Sequence, residues 1–214
     1  MILLFINLFL FLHSLLAEGG KAIGLNEKKN VEITLRESER VYEGLNICIN
    51  PDAFYTAWEG YHKKGFRSGI IAIADFTLSS DQQRFYILDL NSGKVVLQTW
   101  VAHGKNSGEK YAVNFSNQEG SYMSSPGFYK VGEEFISPKH GDALLLEGLD
   151  KGINDRARER EIIIHGADYV SADFIRAQGR CGRSHGCPAL PREEMTKAIQ
   201  LLPPGSLLYI HTGV

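Results

Sequence analysis

A chain of 214 residues, 43% apolar and 22% charged, suits one domain with a core that needs no covalent staples. Its formal net charge of −2 excludes a global basic field, so neither nucleic acid nor an anionic membrane surface is an expected partner. Repeats, low-complexity tracts, Gly-rich phosphate loops and dinucleotide fingerprints are absent from the sequence.

Met1 to Leu16 is almost unbroken Leu, Ile and Phe, interrupted by Asn7, His13 and Ser14, and Ala17-Glu18-Gly19-Gly20 follows. The pattern predicts a signal peptide over residues 1–17, cleaved near Ala17, and hence export. No Lys or Arg precedes the apolar run, and an uncleaved anchor is the alternative. Residues 18–49 read as a polar tether to about residue 30, then a short helix within 31–47 carrying Leu35, Val41 and Leu45. A folded domain is expected over 50–214. Asn50 can cap a helix, Pro51 suits its first turn and Gly65 can end it. Phe54, Ala57, Trp58 and Tyr61 recur at spacings of three and four and predict one buried face.

From Gly69 the period changes. Ile70 to Ala74 is a short apolar run typical of a buried strand. Arg84–Leu90 and Lys94–Val101 flank Asn91-Ser92-Gly93, a hairpin signature. The polar stretch from His103 to Ser125 is longer than a plain connection, which suggests a functional loop. Further strands are predicted at Gly127–Val131, Ala143–Leu146, Glu161–His165 and Ser206–His211. Ser171–Gln178, closed by Gly179, and Pro191–Leu202 read as helices. The fold class is therefore mixed β/α, a β-rich sandwich with peripheral helices.

Chemistry concentrates in His165-Gly166-Ala167-Asp168 and in Arg180-Cys181-Gly182-Arg183-Ser184-His185-Gly186-Cys187-Pro188. His165 closes an apolar strand, where it can face a cleft. Cys187 sits in a Gly/Pro turn whose amides can point at one spot. Thiol acylation needs a nucleophile, a base and donors for the oxyanion. Cys187, His165 and the amides of Gly186 and Cys187 can supply these. An imidazole beside the thiol is expected to take its proton and lower its pKa. The sequence holds three cysteines, so an exported form keeps at least one thiol unpaired.

His-Gly, a gap of about twenty residues and then Ser-His-Gly-Cys resembles the signature of the L,D-transpeptidase (YkuD-type) catalytic domain. The subgroup of murein L,D-transpeptidases with Gly-Cys-Pro-Ala is the nearest pattern. Ile73-Ala74-Asp75-Phe76, Ala102 to Gly108, Phe115-Ser116-Asn117, Ser124 to Tyr129 and His165 to Val170 share the resemblance, which runs from about Asn50 to His211. It implies a Cys at the base of a cleft in a β-rich fold. It also implies attack on the diaminopimelate–D-Ala bond of a peptidoglycan stem tetrapeptide. The thioester would pass to an amine, giving a 3→3 crosslink, or to water, as in an L,D-carboxypeptidase. A non-catalytic wall-binding domain is the reading from another class.

Carried over, Cys187 is the nucleophile and His165 the base. Gly166 holds the imidazole tautomer through its carbonyl, and Ser184 and His185 line the pocket. Many members carry Arg shortly after the Cys, where Pro188-Ala189 stand here. Arg183 or Arg180 is the candidate for a substrate carboxylate. His103 either lines the cleft or holds its loop. Cys181 reads as buried filler, with a disulfide to Cys187 as the alternative, and Cys48 reads as core. Asp155 to Glu161 reads as a solvated charge run. Zinc on Cys181, His185, Cys187 and His165 fits no usual spacing, so neither metal nor cofactor is expected. Carbapenems are expected to acylate Cys187, and the periplasm or cell envelope is the expected location.

Overall fold

The computed structural model describes residues 25–45 and 48–213. The expected signal peptide and the start of the tether lie outside them. The chain divides into two units, Met1–Glu39 and Arg40–Val214. Helix α1 spans Leu25–Gly44 and begins earlier than the tether reading allowed. Within the first unit, Ser38 Oγ donates to the Leu35 carbonyl.

In the second unit, helix α2 (Pro51–Lys63) is capped as its sequence predicts, with the Asn50 side chain accepting from the Asp52 amide. One eight-stranded mixed sheet follows, with spatial order β3-β2-β1-β8-β4-β5-β6-β7. Its strands are β1 Ile70–Asp75, β2 Phe85–Asp89, β3 Lys94–Thr99, β4 Gly127–Ser137, β5 Gly141–Gly148, β6 Ile163–Ala167, β7 Ala189–Pro191 and β8 Leu207–His211. Helices α3 (Ala172–Gln178) and α4 (Arg192–Leu201) flank β7 in sequence.

Alternation along the strands sorts side chains between two faces. Ala72, Ala74, Phe85 and Ile87 share one core with Leu144, Leu146, Ile164 and Leu190 from the far half of the sheet, and with Met195 and Ala198 of α4. The sheet thus folds over and packs on itself, as in a sandwich. Ile71, Ile73, Tyr86, Leu88 and Leu207 face the other way and meet Phe54, Ala57, Trp58 and Tyr61 of α2. At about 25 cal/mol per Å² of apolar area, that aromatic face is a leading contributor to the stability of this layer.

Two elements differ from expectation. β4 and β5 run on as a longer hairpin, to Ser137 and from Gly141. β7 was not predicted, because three residues ending in Pro have no readable period; only pairing with β6 defines it. Cys48 is exposed rather than core, because the neighbouring Ile49 takes the buried position.

Candidate active site

The parallel pairing of β6 with β7 sets the centre of the site. His165 is in register with Ala189, so Cys187 enters two residues before that pairing. Tertiary pairing of two strand ends thus brings together groups that lie 22 residues apart in sequence. Both side chains line one cleft of about 500 Å³, with Tyr122, His140, Arg160, Tyr169, Ser184 and His185 also in its wall.

His165 is buried, and its Nδ1 lies 3.0 Å from the Gly166 carbonyl oxygen. A carbonyl only accepts, so Nδ1 carries the proton and Nε2 is left as the basic nitrogen. Burial foremost, with His140, Arg192 and Lys139 adding positive charge, pushes the imidazole down to about 4, against the Gly166 bond. The Cys187 thiol moves the other way, raised by burial despite amide contacts and Arg160. Burial therefore opposes the charged form of both groups. Cys187 Sγ donates to the Glu161 carbonyl at 3.7 Å, and no hydrogen bond joins it to His165. Glu161 has a φ of +54°, which turns that carbonyl toward the thiol.

The turn that carries Cys187 is braced from both sides. Ser184 Oγ accepts from the Gly186 amide at 3.0 Å and donates to the Cys187 carbonyl at 2.6 Å. Ser184 is thus a brace of the turn, and the Gly186 amide is already engaged. This corrects the expectation that Gly186 donates to an oxyanion; of the two amides only that of Cys187 remains for the role. Gly186 has a φ of +127°, and a Cβ there would stand 2.8 Å from the Met123 carbonyl oxygen. Ser124 Oγ donates to the Gly186 carbonyl at 3.0 Å while accepting from the Gly104 amide.

The long loop is pinned rather than free. Its backbone pairs with the segment that carries Cys187 through Lys105 N to Ser184 O and Ser184 N to His103 O. Arg160 crosses it from the opposite side, donating to the carbonyls of Ser116 at 2.8 Å and Met123 at 2.6 Å. Arg160 belongs to the run read as solvated, yet it is half-buried in the cleft wall. A charge run shows no periodicity that would separate its one inward member.

The remaining candidates part company. His185 is exposed on the rim, its ring tilted against Tyr122 with centroids 4.4 Å apart. Arg183 lines the cleft, but its Nη1 is held by Glu109 at 2.7 Å. Arg180 pairs with the same Glu109 and does not line the cleft. His103 is fully buried behind the loop. Its Nδ1 accepts from Arg84 at 2.8 Å and its Nε2 reaches the Gly108 carbonyl at 3.2 Å, which leaves it no free nitrogen for substrate. Cys181 is buried and donates to the Ser80 carbonyl at 2.9 Å, and all three cysteines are free. Among the described residues no cluster of three or more His, Cys, Asp or Glu could hold a metal ion, and no helix is long and apolar enough to cross a membrane.

The family model described as L,D-transpeptidase catalytic domain matches residues 46–211, and the chain belongs to that family. Among solved structures it is similar to an L,D-transpeptidase from Mycobacterium smegmatis, at 13% identity and a TM-score of 0.43, over 67% of this chain and 59% of that one. L,D-transpeptidase 3 from Mycobacterium tuberculosis, in complex with a faropenem-derived adduct, is similar at 17% identity and a TM-score of 0.39, over 67% and 60%. The helical cell shape determining protein Pgp2 from Campylobacter jejuni is similar at 19% identity and a TM-score of 0.41, over 66% and 46%. The match thus spans about half to three-fifths of those chains. The chain has no match among curated proteins.

Proposed function

We propose that this protein is an exported peptidoglycan L,D-transpeptidase with Cys187 as nucleophile and His165 as general base. The observation that carries the reading is the shared cleft of a fixed-tautomer His165 and Cys187 at the paired ends of β6 and β7, inside the family's domain.

The chemistry follows from that geometry. Burial opposes the charged form of both groups, so the proton moves as the bond to carbon forms. The thiol leaves the Glu161 carbonyl, gives its proton to His165 Nε2 and attacks the carbonyl at the L-centre of diaminopimelate in a stem tetrapeptide. The Cys187 amide stabilises the oxyanion. The imidazolium returns its proton to the departing D-Ala amine, leaving a thioester. An acceptor amine then attacks the thioester, loses its proton to His165, and Cys187 leaves with that proton restored. The product is a 3→3 crosslink. A rim carrying Glu119 and Glu159 as well as Lys139 and Arg183 suits a peptide with both carboxylates and an ammonium. By the same thiol chemistry, a carbapenem acylates Cys187. The apolar run Met1 to Leu16 supports export to the periplasm or cell envelope.

The test is intact-mass analysis of products from disaccharide-tetrapeptide, beside a Cys187→Ala control. A dimer that has lost one D-Ala, absent in the control, is the expected result. A tripeptide monomer would instead make water the acceptor. No Cys187-dependent product, with wall binding retained in the control, would overturn the enzyme reading in favour of a binding domain.

A further inference from the structure

His140 lies in the turn between β4 and β5, 25 residues upstream of His165, and no sequence pattern singles it out. In the fold its ring lies flat on the His165 imidazole, centroids 3.8 Å apart and planes 27° apart. That is the tightest ring contact in the cleft, and the turn bearing it is anchored. The His140 amide donates to Ser137 Oγ at 3.3 Å, and its carbonyl accepts from Arg192 Nη1 at 3.4 Å. Arg192 is in turn forked onto Asp168 at 2.6 and 3.1 Å, and Asp168 directly follows β6, the strand that carries His165. Arg192 therefore ties both ends of the stack together.

We propose that His140 is a positioning residue for His165: its ring fixes the imidazole plane so that Nε2 faces the cleft, and it keeps water off one face of the base. The Gly166 carbonyl fixes only one point of the His165 ring. A ring held at Nδ1 alone can still rock about that bond, and the stack removes this freedom. Its neighbours favour neutral rings. Lys139 on the same turn, Arg192 on α4 and His185 on the nucleophile turn all face His140 with positive or protonatable groups, and Arg192 and Lys139 face His165 too.

The inference rests on the acyl-transfer reading for its meaning, but its first readout, the titration of His165, does not need the substrate. The pH dependence of Cys187 alkylation by iodoacetamide, together with NMR titration of His165, is measured on the whole chain for wild type, His140→Ala and His140→Phe. In His140→Ala, water reaches the imidazole. Its titration moves up toward the free value of about 6.5, and turnover of tetrapeptide falls by about 10- to 100-fold at little change in KM. His140→Phe keeps the stack and restores wild-type titration and most of the turnover. An unchanged His165 titration in His140→Ala, or a folded His140→Phe as defective as the Ala variant, would overturn the proposal. Wild-type protein that alkylates with the expected His165 dependence but turns over no tetrapeptide would count against the transpeptidase reading alone.

Discussion

Replacing Gly186 by Ala tests the nucleophile turn directly. Gly186 holds a φ of +127°, where an L side chain is strained by about 1–3 kcal/mol. The added methyl would also stand 2.8 Å from the Met123 carbonyl oxygen, 3.1 Å from Ile162 Cδ1 and 3.2 Å from an Arg160 nitrogen. The carbonyl cannot simply retreat, because Arg160 Nη2 holds it at 2.6 Å. Strain and overpacking together cost about 3 kcal/mol. For a domain of this size that lowers Tm by about 6–12 °C. Relief comes from moving the turn, which displaces Cys187 from His165 and slows acylation by about 100-fold. Differential scanning calorimetry reads the first effect, and intact-mass kinetics of carbapenem acylation reads the second. A Gly186→Ala protein with wild-type Tm and wild-type acylation would refute the reasoning.

Three further outcomes are expected. Arg160→Met strips donors from the Ser116 and Met123 carbonyls and destabilises by about 2–4 kcal/mol in urea unfolding; Arg160→Lys does not restore it, since one ammonium lacks the planar fork. His103 and His165 are each held down to about 4 by burial, so below about 6.5 the unfolded chain binds protons that the native state refuses. Stability is full above that pH and is lost as pH falls toward 4, by a few kcal/mol at pH of about 5; unfolding titrations at neutral and acid pH check this, with a shallower slope in His103→Gln. Iodoacetamide mapping should label Cys48 and Cys187 in the native protein and leave Cys181 unlabelled until denaturant is added, because Cys181 is fully buried whereas Cys48 is exposed and Cys187 opens onto the cleft.

The candidate residues of the site were legible before any fold was known. His165-Gly166 and Ser184 to Cys187 are two short motifs, and turn residues mark themselves through the backbone conformations they allow. Helix α2 and the β2–β3 hairpin were readable for the same reason, since caps, turns and periodicity are short-range signals. Three functional features were not legible. The stack of His140 on His165, the reach of Arg160 into the cleft and the existence of β7 all depend on partners that the chain brings near only by pairing strands.

The engagement of the Gly186 amide by Ser184 was hidden for a related reason. Sequence shows which donors exist, but only the folded turn shows which are already taken. The opposed pKa directions of Cys187 and His165 belong to the same class, because desolvation depends on what surrounds a group in space. The sequence alone determined the kinds of groups available and the local elements that carry them. The tertiary structure alone decided which groups share the cleft, which are spent as braces and which way burial shifts the thiol and imidazole, because burial and long-range pairing have no local code.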